Sequence, residues 1–285
     1  MTTTFDPEKY KQTTQLQWDS AAQAWHRWGP LLNRWLGPAT DKMFDMADIK
    51  SGAKVLDVAA GAGEQSIVAA KRVGKTGRVL ATDISSKILE FAKESAKQAG
   101  LANLSTKVFD GEQLDELSGH GFDAVISRVG LIYFPDQQKA LVGMRNSLRE
   151  GGKIGVMVYS EADKNAFFST PVSIIRRRAK LPAPLPGHPG PFSLGKVAVL
   201  RKALVDAGFK NVSVEVINAP VRLSSALDCL QFEQESFGAL HQMLAGLTSA
   251  EQDEAWDEIE QALTKFESNG SFVGPCEMLI ACGTK

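Results

Sequence analysis

Three carboxylates and a pair of glycines mark where this sequence could do chemistry. Asp57 lies in the apolar run Lys54-Val55-Leu56-Asp57-Val58, which passes through Ala59-Ala60 into Gly61-Ala62-Gly63. Asp83 closes a second run, Gly77-Arg78-Val79-Leu80-Ala81-Thr82-Asp83, and Asp110 ends a third, followed by Gly111 and Glu112. Gly61 and Gly63 lack a Cβ, so the backbone there can take positive φ and a ligand can lie against it. A helix that starts at once after them points unpaired N–H groups and a partial positive charge at the same spot. Such a turn suits the anionic or polar end of a cofactor. A carboxylate about twenty residues further on, at the end of the next strand, suits the two hydroxyls of a ribose.

Spacing separates the cofactors that use this layout. A dinucleotide fingerprint wants three glycines as G-x-G-x-x-G. Here Gly61-Ala62-Gly63 continues as Glu64-Gln65-Ser66, so the third glycine is missing. What stands instead is an acid, three residues, then G-x-G. This resembles the first motif of the class I S-adenosylmethionine (SAM) dependent methyltransferases, commonly D-x-G-x-G-x-G. Ala59 replaces the first glycine, as in relatives of the ubiquinone and menaquinone C-methyltransferases. The later marks follow in the family's order: Asp83, Asp110-Gly111, Phe122-Asp123-Ala124-Val125, the Ala207-Gly208-Phe209 turn and a closing Met278-Leu279-Ile280-Ala281 strand. The resemblance spans about 50 to 285, interrupted at 223–268.

The resemblance implies an α/β fold: a doubly wound, mostly parallel, seven-stranded Rossmann-like sheet with SAM as cofactor. Asp83 would bind the ribose diol. Asp110 would accept from the adenine amino group, with the Gly111 N–H near the ring and Ile84 and Glu112 in the same cofactor set. Ala59, Gly61 and Gly63 would let the methionine end approach the backbone. Asp57 would hold the glycine turn through its N–H groups. Carboxylates at these places also suit a cofactor carrying a positive sulfonium and ammonium.

Methyl transfer is an in-line displacement at carbon, so alignment dominates and a base matters only when the acceptor must lose a proton. Arg128, at the end of the fourth strand, is expected at the cleft, where it would touch cofactor or an acidic acceptor. Tyr133 on the next loop and His188 in the proline-rich stretch are the other catalytic candidates, with Tyr159 and His26 behind them. The fourth strand ends Ser127-Arg128-Val129-Gly130, unlike the Asn-Pro-Pro-aromatic motif of enzymes that methylate amino groups of DNA and protein glutamine. No metal set such as H-E-x-x-H is present, and no metal is expected.

The elements that must position these residues are legible by pattern. Strands are expected at 54–60, 78–83, 104–109, 122–127 and 153–159, alternating with helices at 64–73, 86–99 and 136–149, which means a parallel sheet covered on both faces. Ahead of them, residues 8–46 read as helices broken at Gly29-Pro30 and Gly37-Pro38. Four of the five tryptophans lie there, Trp18 and Trp25 sharing one face. These rings, with Tyr10, read as a cap over the cleft, and an aromatic face suits a sulfonium by cation–π attraction; Tyr10 and Trp18 are therefore added to the cofactor set. A helix over 165–179 leads to Leu181–Pro191, which holds five of the twelve prolines. A helix over 196–207, a strand around 212–216, a mostly helical insert over 223–268 with a capping box at Thr248, and a strand over 276–283 complete the chain. The expected units are a lid (1–46), the SAM-binding domain (47–222 and 271–285) and a helical insertion (223–270).

Composition bounds the partners. The 285 residues carry a net charge of −1, with 44% hydrophobic and 23% charged residues, so no basic stripe for nucleic acid stands out. Arg176-Arg177-Arg178 reads as the solvated end of a helix. Cys229, Cys276 and Cys282 have no C-x-x-C spacing and read as reduced thiols of a cytoplasmic protein. No long apolar run and no signal peptide are seen, so no stable membrane insertion is expected. The expected function is methylation of a small, aromatic or quinone-like acceptor at oxygen or activated carbon, by a monomer or homo-oligomer. The alternatives are an NAD(P)-dependent oxidoreductase and a non-catalytic SAM-binding regulatory module.

Overall fold

The computed structural model describes residues 5–183 and 187–285. Two helices come first: α1 (Pro7–Arg27) and α2 (Gly29–Met46). Asp6 caps α1 by accepting from the Lys9 N–H at 3.1 Å, and Pro7 occupies its first turn, where a missing N–H costs nothing. The chain breaks at Trp28, as Gly29-Pro30 demands. It does not break at Gly37-Pro38, where α2 runs on with Pro38 inside it. Leu32, Trp35, Leu36, Ala39, Met43 and Phe44 of α2 are buried, and that apolar contact outweighs the hydrogen bond a proline removes.

Strand and helix then alternate: β1 (Lys54–Val58), α3 (Glu64–Val73), β2 (Arg78–Asp83), α4 (Ser86–Gln98), β3 (Leu104–Val108), β4 (Phe122–Arg128), α5 (Gln137–Ser147) and β5 (Leu148–Tyr159). β5 starts earlier than expected, because Glu150-Gly151-Gly152 is taken up as an irregularity in the pairing with β4 rather than as a turn ahead of the strand. After α6 (Ala166–Arg178) and α7 (Val197–Asp206) come β6 (Lys210–Asn218), β7 (Val221–Leu223), α8 (Ala226–Ser236), α9 (Gly238–Leu244), α10 (Ser249–Leu263), β8 (Glu267–Ser268), β9 (Ser271–Gly274) and β10 (Glu277–Thr284). Part of the proline stretch, residues 184–186, lies outside the described residues.

The main sheet has seven strands in the order β3-β2-β1-β4-β5-β10-β6, all parallel through β5, with β10 antiparallel to both neighbours. This is the doubly wound sheet expected from the strand pattern. The order reverses between β1 and β4, and a ligand crevice forms outside the carboxyl ends at such a switch. A small second sheet, β7-β9-β8, closes the helical insert; its strands of two to four residues carry too little periodicity to read in advance. The three cysteines are buried and free.

α2 lies across the sheet. A Cβ on Gly155 of β5 would meet Met43 Cγ at 3.0 Å, so the glycine lets the helix come close. α1 crosses above the switch point, against α4 on one side and α8 and α9 on the other. No helix among the described residues is long and apolar enough to cross a membrane.

Candidate active site

A cleft opens at the switch point. Its floor is the turn after β1. Ala60 donates its N–H to the Thr82 carbonyl (2.9 Å), and Gly61 donates its N–H to Asp83 Oδ2 (3.0 Å), tying the turn to the end of β2. Asp83 Oδ1 accepts the Ser85 N–H at 3.0 Å, and the Ser85 hydroxyl caps α4 at the Ile88 N–H. Burial raises the Asp83 carboxyl above its ordinary range, against the backbone N–H groups of Ser85, Gly61 and Ile84, which favour its charge. Each Asp83 oxygen keeps a lone pair for a further donor.

Ala59, Gly61, Asp83, Ile84, Asp110, Gly111, Glu112, Arg128 and Trp18 all line this cleft, as does Tyr133. Three of the expected cofactor residues do not. Gly63 (φ 89°) faces α4: a Cβ there would lie 2.7 Å from Ala92 Cβ. Its missing side chain serves helix packing, not ligand approach. Asp57 is fully buried and holds α3 through side chains, accepting from Gln65 Nε2 (3.3 Å) and the Ser66 hydroxyl, not through N–H groups of the glycine turn. Burial pushes its carboxyl up to about 6. Tyr10 lines an adjoining chamber instead.

His188 also lines that chamber, packed against Phe5 with the rings tilted and their centroids 4.6 Å apart. His26 packs flat on Phe91 at 4.7 Å and is absent from both cavities. Tyr159 reaches the cleft wall from the end of β5. Burial drives the phenols of Tyr133 and Tyr159 well up, so both stay neutral and act as donors.

The backbone around the turn is strained. Ala59 (φ 59°) and Val129 (φ 62°) both adopt left-handed conformations, rare for alanine and rarer for a β-branched residue. The Ala59 value explains why the related motif carries glycine there. Such strain collects at functional sites.

Residues the sequence did not single out complete the site. Lys11 of α1 reaches across to Asp110 Oδ2 (2.8 Å) and Glu112 Oε2 (2.7 Å). Burial lowers the Lys11 ammonium's affinity for its proton, but the hydrogen bonds and charges of the two acids more than restore it, leaving it raised. Asp110 Oδ1 accepts the Glu112 N–H, and Glu112 Oε1 accepts the Asp136 N–H. Lys11 lies 99 residues from Asp110, and no local pattern could pair them. Glu64, the residue after the second glycine, is buried and lies 3.8 Å from Arg128, whose Nη1 also donates to the Thr40 hydroxyl. Its position directly after G-x-G was the available signal.

The roof is aromatic. Trp18 meets Trp25 edge-on at 5.4 Å and Tyr133 at 5.7 Å. A Cβ on Gly61 would stand 3.2 Å from Trp25 Nε1, so the Trp25 ring sits directly on the glycine turn. Carboxylates on the floor and aromatic faces on the roof fit a cation-bearing nucleoside. Among the described residues no cluster of His, Cys, Asp or Glu has the makings of a metal site.

The sequence comparisons agree with this geometry. Residues 49–175 match a family described as a methyltransferase domain. Over 116 residues the chain is 38% identical to the ubiquinone/menaquinone biosynthesis C-methyltransferase UbiE of Chromobacterium violaceum, covering 41% of this chain and 47% of that one. Over 149 residues it is 31% identical to the aklanonic acid methyltransferase DauC of Streptomyces sp. strain C5, covering 52% and 66%. The chain thus spans about half to two thirds of the length of the curated relatives it matches. A solved structure of a candidate methyltransferase from Bacillus halodurans superposes with a TM-score of 0.57 at 20% identity, covering 86% of this chain and 98% of that one, which shows the shared fold. From the switch-point cleft and this kinship together, the chain carries a class I S-adenosylmethionine-dependent methyltransferase domain.

Proposed function

We propose that the protein transfers a methyl group from SAM to oxygen or activated carbon of a small, largely aromatic acceptor. One observation carries this reading: the cleft and a larger second chamber share Thr14, Trp18, Tyr133 and Phe237 as a common wall. A cofactor in the first and an acceptor in the second would meet at that wall. The names of the relatives, a quinone-pathway C-methyltransferase and an aklanonic acid methyltransferase, support an acceptor of this kind.

SAM, when bound, supplies an electrophilic methyl on a sulfonium. The chain's part is to bind, orient and exclude water. Asp83 receives the ribose hydroxyls, and Asp110 with the Gly111 N–H receives the adenine edge, flanked by Ile84 and Glu112. Ala59 and Gly61 leave backbone exposed to the methionine end, and Trp18 and Trp25 offer their faces to the sulfonium. α1 and α2 act as the lid and α8–α10 as the acceptor-side insert. Tyr133 donates a hydrogen bond at the shared wall, since its buried phenol holds its proton. Arg128, fixed by Glu64 and Thr40, lines the cofactor cleft and belongs to the set that holds the cofactor. His188 is the imidazole on the chamber wall and takes a proton where the acceptor must lose one.

Calorimetric titration with S-adenosylhomocysteine and, separately, NAD(H) tests the cofactor. Micromolar binding of the first alone is expected, followed by transfer of labelled methyl in a screen of aromatic acids, phenols and hydroquinones. Tight binding of NAD(H) instead would overturn the reading. Cofactor binding with no transfer to any class of that screen would favour a regulatory SAM-binding module.

A further inference from the structure

We infer that the acceptor carries a carboxylate, held by Arg176 on a part of the chamber wall that the cofactor cleft does not share. This deepens the methyltransferase reading and rests on it. The chamber is lined mainly by apolar and aromatic side chains, among them Tyr10, Phe168, Phe192 and Phe237. Its charged lining is Lys9, Arg176 and Asp6. The Asp6 carboxylate is engaged by the Lys9 N–H as the cap of α1. The chamber therefore presents a surplus of positive charge inside apolar walls.

Arg176 is the cation without an acid. It is the first of three consecutive arginines in the last turn of α6. Arg178 bonds Glu258 (2.7 Å) and Glu254 (3.0 Å) of α10, and Arg177 bonds Glu258. Arg176 forms no ion pair among the described residues, and residues 1–4 and 184–186 contain no acidic side chain. Its guanidinium donates through Nη1 to the Pro182 carbonyl and makes no other hydrogen bond among the described residues. A guanidinium with donors left over is suited to a planar carboxylate, which it meets through two parallel hydrogen bonds. The apolar walls strengthen that attraction.

Position separates this acid from the methylated atom. Arg176 lines the chamber but not the cofactor cleft. The carboxylate is thus an anchor, and a different atom of the acceptor faces the shared wall at Trp18 and Tyr133. Arg176 selects the acceptor; it takes no part in the displacement.

The test uses the full chain saturated with S-adenosylhomocysteine, with anthraquinone-2-carboxylate and anthraquinone-2-carboxamide as probes, binding read by tryptophan fluorescence. The wild type should bind the carboxylate at least about 10-fold tighter than the amide, and Arg176→Gln should abolish that preference while leaving amide affinity within about twofold. Arg176→Lys keeps the charge without the fork and should retain part of the preference. Equal binding of the two probes by wild type, an equal loss for both in Arg176→Gln, or binding of neither while S-adenosylhomocysteine binds would overturn the inference. S-adenosylhomocysteine binding is titrated first on each variant. Its failure in wild type would overturn the cofactor reading, and with it this inference.

Discussion

The Cβ of Ala59 occupies the space that a side chain on Gly130 would need: a Cβ at Gly130 would lie 2.3 Å from it. Gly130 has φ −84°, a conformation open to any residue, so its glycine answers to Ala59 and not to its own backbone. Ala59, in turn, bears the left-handed φ of a position where the related motif has glycine. The two sites are one arrangement spread over the β1 and β4 turns. Gly130→Ala alone should cost about 1–3 kcal/mol by overpacking. Ala59→Gly alone should change stability by less than about 1 kcal/mol, since relief of the left-handed alanine offsets the greater chain entropy of glycine. In the double variant most of the Gly130→Ala cost should vanish. A urea-denaturation cycle reads the coupling; additive effects would show that the two turns are independent.

What the sequence disclosed and what it hid divide along range. Strand ends set by apolar runs stood out, so Asp83, Asp110 and Arg128 were placed at one crevice by topology alone. The pair Trp18 and Trp25 was placed on one helix face by its spacing, and the rings do touch. Contacts between distant segments were not legible. Lys11 between Asp110 and Glu112, Ala92 filling the space beside Gly63, and His26 turned onto Phe91 each depend on how α1 and α4 dock. Gly37-Pro38 misled because a local breaking signal competes with burial of a whole helix face, and burial won.

Lys11 ties α1 to Asp110 and Glu112 at the rim of the cleft. Its side chain is 14% exposed, and its ammonium meets two acids at once. Hydrogen bonds between charged groups in such a setting contribute about 1.5–3 kcal/mol. Lys11→Met keeps the length and packing of the stem but removes the tie. S-adenosylhomocysteine should then dissociate about 10-fold faster or more, with the melting transition retained. Stopped-flow fluorescence of the roof tryptophans would report it. An unchanged dissociation rate would mean that α1 is held by its apolar contacts alone.

Asp83→Asn separates shape from charge at the end of β2. One amide oxygen can still accept from Gly61 or Ser85, but not both oxygens as now. With Asp83 in the proposed ribose role, the hydroxyls would lose a charged acceptor, so S-adenosylhomocysteine affinity should fall at least about 10-fold, in line with the 1.5–3 kcal/mol of a hydrogen bond to a charged group. Asp83→Ala should lose at least as much. Calorimetry reads both, and affinity equal to wild type would remove Asp83 from the ribose role.

Asp57 gives the domain a pH dependence of unusual sign. Its carboxyl titrates at 3.8 in the ordinary range and is pushed up to about 6 in the fold, by burial first, against hydrogen bonds from Ser66 and Gln65. Between these values the unfolded chain has lost the proton and the native chain keeps it. The unfolded state binds fewer protons there, so this group's contribution falls as pH rises through the window. Above about 6 the ionised, buried carboxylate costs the native state about 3 kcal/mol, at roughly 1.4 kcal/mol per pKa unit. Asp57→Asn cannot ionise and carries only a constant offset from its altered hydrogen bonds. The stability of Asp57→Asn relative to wild type should therefore climb between about pH 4 and pH 6 and level off above. Urea titrations of both proteins across that range measure the difference, and a flat difference would mean that Asp57 ionises as easily inside the fold as outside it.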